Sequence, residues 1–481
     1  MLVQPHRLSR RRTVTTRLRP NKRTEEQSAL STSSWVLARS LAVVASLTVV
    51  LAACSSTGVT SRAGRSGRPA TPSSAPSSAP STAPKASTAT LGALHDITFV
   101  RPGSGWALGE LPVGTVVARS TDGGRSWSAW GAPLPGATLA AEHAGFEASL
   151  TVMLAGNGVG SNVADGVVSV QGSPTLLVST DRLMSWHAVR FPAPVLGVAA
   201  APGPLWPGGT PATAPGVDEE PLWVLVGPLP ANEAPAQAKD FGPPGSLLVA
   251  LLYPATASWK PYGTLAGPSW TGRSAISSAR FVRLSAASGY AVVTGSVRDA
   301  SLPAGYQQVA LVEETTDYGF TWRLLPTPCA TRDYTALLSP VSLDVLWLGC
   351  AGEPSAGNQM KAVYRSLDAG RSWEAVWDGG SHGKPPGAVP ISSGYLGAVV
   401  GLSPADAFVG LGRGGLLHTS DGGRTWQGVV PHIGGSGGIE QLDVLDAADA
   451  WALVGGGRLW ATTDGRRWSQ IASAPGARAP R

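Results

Sequence analysis

One eight-residue pattern, Ser/Thr-x-Asp-x-Gly-x-x-Trp, recurs along the chain and constrains its fold more than any other feature. It is complete at Ser120, Asp122, Gly124 and Trp127, at Thr315, Asp317, Gly319 and Trp322, at Ser366, Asp368, Gly370 and Trp373, and at Thr419, Asp421, Gly423 and Trp426. Ser179, Asp181 and Trp186 keep it with Leu183 in the glycine place, and Thr462, Asp464 and Trp468 keep it one residue short. A further place is marked by Trp259, with Pro254 and Thr256 where Asp and Gly are due. Self-similarity at a spacing of about 40 to about 75 residues signals a repeat architecture.

The residue types describe a hairpin turn. Asp and Ser/Thr side chains bond nearby backbone and close the turn. Glycine permits a left-handed backbone, and the Trp opens the next strand and packs back over the turn. Because the same Asp recurs at every turn, its reading is structural, not catalytic or metal-binding. Ahead of most turns lies a strand with one aromatic residue and then aliphatics, as in Gly105-Trp106-Ala-Leu-Gly109, Leu222-Trp223-Val-Leu-Val-Gly227, Gly289-Tyr290-Ala-Val-Val293, Leu346-Trp347-Leu-Gly349, Ala407-Phe408-Val-Gly410 and Ala450-Trp451-Ala-Leu-Val454. In the second repeat Leu150-Thr-Val-Met-Leu154 takes that place. An apolar strand precedes each of these, and another strand feeds the turn. Four short antiparallel strands per unit make one propeller blade. The expected fold is an all-β propeller over 94–472 with seven blades, six or eight being the alternatives. Its units fall near 95–135, 145–192, 193–265, 275–328, 331–380, 391–431 and 437–472. No strand is left over at either end, so the ring is expected to close by packing of the first and last blades.

These motifs resemble the BNR/Asp-box propellers, most nearly the photosystem II assembly-factor branch. More distantly they are similar to the sortilin luminal domain, sialidases and xyloglucan-type glucanases. The resemblance implies the fold. It leaves function open, because such propellers include binders and glycoside hydrolases. A sialidase uses an arginine triad, a Tyr–Glu pair, an Asp acid and a Phe/Tyr-Arg-Ile-Pro motif. Phe99-Val100-Arg101-Pro102 has the wrong order and reads as a strand running into a turn. The acidic residues outside the turns, Glu142, Glu147, Asp218, Glu219, Glu220, Glu313, Glu314 and Asp333, sit in no motif. Trp206 and Trp270, in loops, are candidate sugar platforms or, more simply, rim aromatics packed on a blade. Histidines and cysteines lack metal-ligand spacing, so no metal and no cofactor is expected.

The apolar run Leu41 to Ala53 is too short for a comfortable membrane span and fits a signal peptide. Its end, Leu51-Ala52-Ala53-Cys54, resembles a bacterial lipobox, which implies cleavage and lipidation at Cys54. Residues 1–53 read as the leader, with 1–35 a possible over-extension of the reading frame. They hold nine of the 37 Lys and Arg and two of the 31 Asp and Glu, leaving 28 basic against 29 acidic residues. That balance excludes the basic face a nucleic-acid binder needs. Residues 54–93, rich in Ser, Pro, Ala and Thr, read as a disordered linker, and 473–481 as a disordered tail. Such a linker reaches on the order of 100 Å when extended. Cys329 and Cys350 are the two remaining thiols, and beyond the membrane they are expected to pair, two buried free cysteines being the competing reading. The expectation is thus a monomeric lipoprotein on the outer face of the cytoplasmic membrane, binding an extracytoplasmic protein or glycan. Glycoside hydrolysis is the alternative.

Overall fold

The computed structural model describes residues 91–472 apart from 113, 136–147, 155–163, 171, 201–220, 231–241, 273, 300, 303–304, 330–332, 355–358, 379–393, 413–414, 431–437 and 456. The leader, Cys54, nearly all of the linker and the tail lie outside the described residues, as do Trp206, Glu142, Glu147, Asp218, Glu219 and Glu220.

The described strands form seven sheets, each of four antiparallel strands in consecutive order. The blades span 94–130, 148–190, 195–264, 275–325, 333–378, 395–430 and 439–472. Among the described residues no strand is exchanged between blades. The buried apolar residues fall into seven clusters, and each cluster is a seam between two consecutive blades. The seventh seam joins blade 7 to blade 1 through Trp451, Leu453 and Leu459 against Ile97, Phe99 and Ala107. The described residues form a closed ring of seven blades.

In blade 2, Ala148–Leu154 is the first strand and Ala164–Val170 the second, which corrects the placement of Leu150–Leu154 as the aromatic-bearing strand. The second strand here carries Val167 where other blades carry an aromatic, so nothing in the sequence flags it. Gly166 pairs with Ser179 as Gly105 does with Ser120, which fixes the equivalence. The described residues begin at Leu91, which is buried beside blade 1, and the Gly92 N–H donates to the Glu110 carbonyl at 2.7 Å. An apolar side chain here docks because burial offsets the ordering cost of a few residues.

The first strand of each blade is an edge with no strand beyond it. Its unpaired N–H groups need acceptors, and at three seams side chains of the preceding blade supply them. Gln441 and Asp443 of blade 7 accept from Ile97 N–H (2.8 Å) and Phe99 N–H (2.5 Å) of blade 1. Asp96 of blade 1 accepts from Leu150 N–H of blade 2 at 2.6 Å, and Ser339 of blade 5 from Gly401 N–H of blade 6 at 2.9 Å. At the closing seam Gln441 also donates to the Ile97 carbonyl, Phe99 stacks on Trp451 with centroids 3.8 Å apart, and the Trp451 indole N–H donates to Gly123.

Burial, reinforced by the Asp96 carboxylate nearby, pushes Asp443 up to about 7. The folded state therefore keeps a proton that the unfolded chain releases near pH 4. The stability Asp443 contributes is fully present below about pH 4, is lost as pH rises through roughly 4 to 7, and is constant above that. Melting between pH 5 and pH 8 checks this: the parent melts lower at pH 8, and Asp443→Asn narrows the difference. An undiminished difference in Asp443→Asn contradicts the assignment.

Candidate functional site

The recurring turns join the third and fourth strands of their blades. In the first, Ser120 Oγ donates to Asp122 Oδ1 (2.8 Å) and accepts from Gly124 N–H (2.8 Å), while Asp122 accepts from the Ser126 N–H and hydroxyl (2.9 and 2.5 Å). The Asp bonds recur around Asp181, Asp317, Asp368 and Asp421, and the glycine N–H bond to the hydroxyl recurs at Gly319, Gly370 and Gly423. In the short turn, Asp464 accepts from Arg466 and Arg467 N–H, one residue nearer. Hydroxyl and N–H donors from Ser372, with the Ser366 hydroxyl, hold Asp368 down to about 2. These carboxylates are filled by their own turns.

Each turn also leans on the blade before it. Trp259, Trp373 and Trp426 donate their indole N–H to Arg190, Pro326 and Val376, each at or just after the last strand of the preceding blade. Trp322 packs edge-on to Trp223 of blade 3, and Trp468 edge-on to Phe408 of blade 6. Trp127 and Trp186 pack at the seams of blades 7–1 and 1–2. Leu183 holds a left-handed conformation (φ 63°) in the glycine place and is fully buried. Its side chain fills the space above Gly166, where a Cβ would meet it at 2.6 Å.

A grouping that resembles glycosidase chemistry is present in blade 4. The Tyr290 hydroxyl lies 3.5 Å from Glu314 Oε1, and Arg323 pairs with Glu314. Tyr290 is fully buried, however, and its hydroxyl donates to the Leu343 carbonyl at 2.8 Å. Burial and the Glu314 charge raise its pKa further above the usual phenol value, the reverse of what a nucleophile needs. Glu313 is buried and accepts from Ala266 and Gly267 N–H, tying blade 4 to the loop before it. Trp270 is buried in the blade 3–4 seam against Gly295, so it offers no platform to a sugar. Arg125 and Arg371 bond their own turns.

The Sγ atoms of Cys329 and Cys350 are bonded at 2.03 Å with Cα atoms 5.3 Å apart, joining the blade 4–5 connection to the second strand of blade 5. The Asp333 carboxylate lies within 4.8 Å of both sulfurs. Bonded to each other, the sulfurs present no thiolate to a cation.

What stands out is the tip of the turn in blade 4. The place after the box Asp is left-handed in every turn of this kind, and is filled by Gly123, Arg182, Ala369, Gly422 and Gly465 elsewhere. Here it is Tyr318, at φ 67°. Two residues on, where Arg125, Arg371 and Arg424 stand in other turns, is Phe320. The two rings are 58% and 60% exposed. Gly319 between them is buried, and a Cβ there would meet the Trp223 indole at 3.3 Å; Phe320 meets Tyr262 edge-on at 5.7 Å. Leu343 and Leu367 of blade 5, at 40% and 53% exposure, lie in turns of the same face. The sequence carries this signal as two aromatics flanking the box glycine, and it is overlooked when the pattern is read only for what recurs.

The described residues form a seven-bladed β-propeller. No protein-family model matches the chain, and no curated protein matches it. Solved structures similar to it include one described as YCF48 bound to D1 peptide, at 15% identity and a TM-score of 0.45, covering 79% of this chain and 95% of that one. YCF48 from Cyanidioschyzon merolae is similar at 15% identity and 0.44, over 78% and 96%. The GH74 xyloglucanase from Xanthomonas campestris is similar at 15% and 0.30, over 79% and 64%. Likeness at this level extends to the fold alone.

If the box aspartates are turn clamps, Asp122→Ala lowers stability by about 1–2 kcal/mol through lost hydrogen bonds and leaves the folded fraction otherwise intact. Denaturant unfolding measures this, and unchanged stability contradicts the role.

Proposed function

We propose that this chain is a non-catalytic binding propeller, lipid-anchored through Cys54 at the outer face of the cytoplasmic membrane, that takes a protein partner at the turn tip of blade 4. The observation that carries the reading is Tyr318. A left-handed tyrosine costs about 1–2 kcal/mol against glycine, and it buries little to offset that. Arg182 and Ala369 share this backbone; what sets position 318 apart is the exposed aromatic ring that it carries. Phe320, Leu343 and Leu367 on the same face add apolar area of the kind found at the centre of protein interfaces. A protein segment with apolar side chains fits this surface better than a glycan, because two of its four members are aliphatic and offer a sugar no stacking face. Hydrolysis is disfavoured by the burial of Tyr290 and by the use of Asp96 and Asp443 as acceptors for strand edges.

Stability and binding are expected to separate in one variant. Tyr318→Gly leaves stability unchanged or raises it by up to about 1 kcal/mol, yet lowers recovery of a protein adduct in photocrosslinking from a probe at position 320. Phe320→Arg lowers binding as well. In the same cells Cys54→Ala shifts the protein from the membrane to the soluble fraction and removes lipid labelling. Adducts undiminished by Tyr318→Gly, or glycan binding at this tip in their place, contradict the partner assignment. Unchanged fractionation contradicts the anchor.

A further inference from the structure

Blade 4 differs from its neighbours at its outer edge. Its second and third strands, Gly289–Arg298 and Tyr306–Thr315, form a ten-residue hairpin paired along its whole length. The fourth strand, Arg323–Leu325, pairs only with Val312, Glu313 and Glu314. In blade 2 the fourth strand covers the third from Thr175 to Val178, and in blade 3 it covers all of Leu248–Tyr253. Blade 4 stops short because Pro326 and Pro328 follow at once. Proline lacks the N–H a ladder needs, and the Cys329–Cys350 bond draws the chain on to blade 5. Among the described residues, no strand pairs with the outer edge of Tyr306 to Leu311.

Unpaired edges are templates for another strand, and proteins usually blunt them with charge, proline or a bulge. This one has none of these. Tyr306-Gln307-Gln308-Val309-Ala310-Leu311 is uncharged and free of proline, and its register with the second strand is regular. Its apolar side chains are already committed: Val309 and Leu311 pack in the blade 3–4 seam and Ala310 in the blade 4–5 seam. What it offers is backbone.

We infer that two copies of this chain pair antiparallel through Tyr306–Leu311, joining two blades into one eight-stranded sheet. Two identical edges meeting about a two-fold axis are self-complementary by construction. The stretch is neutral, so no like charges oppose one another. Six residues of ladder bury less than a standard interface. The dimer is therefore weak in dilute solution and favoured where chains are concentrated on a surface. A monomer is what the sequence alone suggests; this edge argues otherwise. The inference is independent of the tip of blade 4, which lies at the other end of the third strand.

Sedimentation velocity of the full chain, from about 1 to about 200 µM, tests it. The parent passes from one-chain to two-chain mass across that range. Gln308 lies mid-edge, near its own copy in any register centred on the stretch. Gln308→Lys alone and Gln308→Glu alone each remain monomeric, and an equal mixture of the two regains the dimer. Unchanged melting of each variant shows that the fold is kept. Alternate amides between 306 and 311 become protected from hydrogen exchange as the parent dimerises. Tyr318→Gly leaves the association unchanged, so failure here and failure of the partner site are told apart. A parent that stays monomeric, variants that dimerise like the parent, or a mixture that stays monomeric overturns the inference. So does protection at 306–311 that arises only when a different protein is bound.

Discussion

The ring depends on how an inner edge strand meets the blade before it. Each first strand has a row of N–H groups with no strand to receive them, and a buried unpaired N–H costs more than a typical hydrogen bond returns. Side chains solve this where strand exchange does not. Gln441 and Asp443 reach across the closing seam to Ile97 and Phe99, and Asp96 repeats the act one blade on for Leu150. Register makes these equivalent: Gln441 and Asp96 hold the same place on their strands, as do Asp443 and Ser339. The seam that holds the ends of the chain together is thus built like an ordinary seam, with Phe99 stacked on Trp451 as its apolar centre.

The turns serve the same end from the other side. Each box closes its own hairpin and sets a Trp against the preceding blade, so local and long-range interactions agree. This explains why Leu183 and the short turn at Asp464 are tolerated. In the first case the missing glycine is compensated by Gly166, and in the second the Asp finds donors one residue nearer. It also explains why Pro254–Thr256 can replace a box in blade 3. A single 3-10 turn ending in a left-handed Ala257 brings Trp259 round to Arg190.

What was legible in the sequence was local. Box spacing and the aromatic strand gave blade number and order, because both are written within about twenty residues. The second strand of blade 2 was missed because Val167 replaces the aromatic marker. The seam acceptors were illegible because Gln441 and Ile97 are 344 residues apart and a lone Gln or Asp in a strand carries no pattern. Trp270 looked exposed because its neighbours are loop residues, yet Gly295 leaves the room that buries it. The candidate site was visible only as a departure: Tyr318 and Phe320 matter because other turns carry glycine, alanine or arginine there. Repetition locates the fold, and the place where one repeat departs from the others marks the candidate site.

Native-state hydrogen exchange resolved to single amides tests the central claim, that the closing seam between blades 7 and 1 is held by the same side-chain-to-edge bonds as the seams 1–2 and 5–6. The account predicts that Ile97 and Phe99 at the closing seam exchange as slowly as Leu150 and Gly401 at the other seams, all through global unfolding. Fast exchange at Ile97 and Phe99, with Leu150 and Gly401 still protected, would show a ring that opens between blades 7 and 1 and would contradict it.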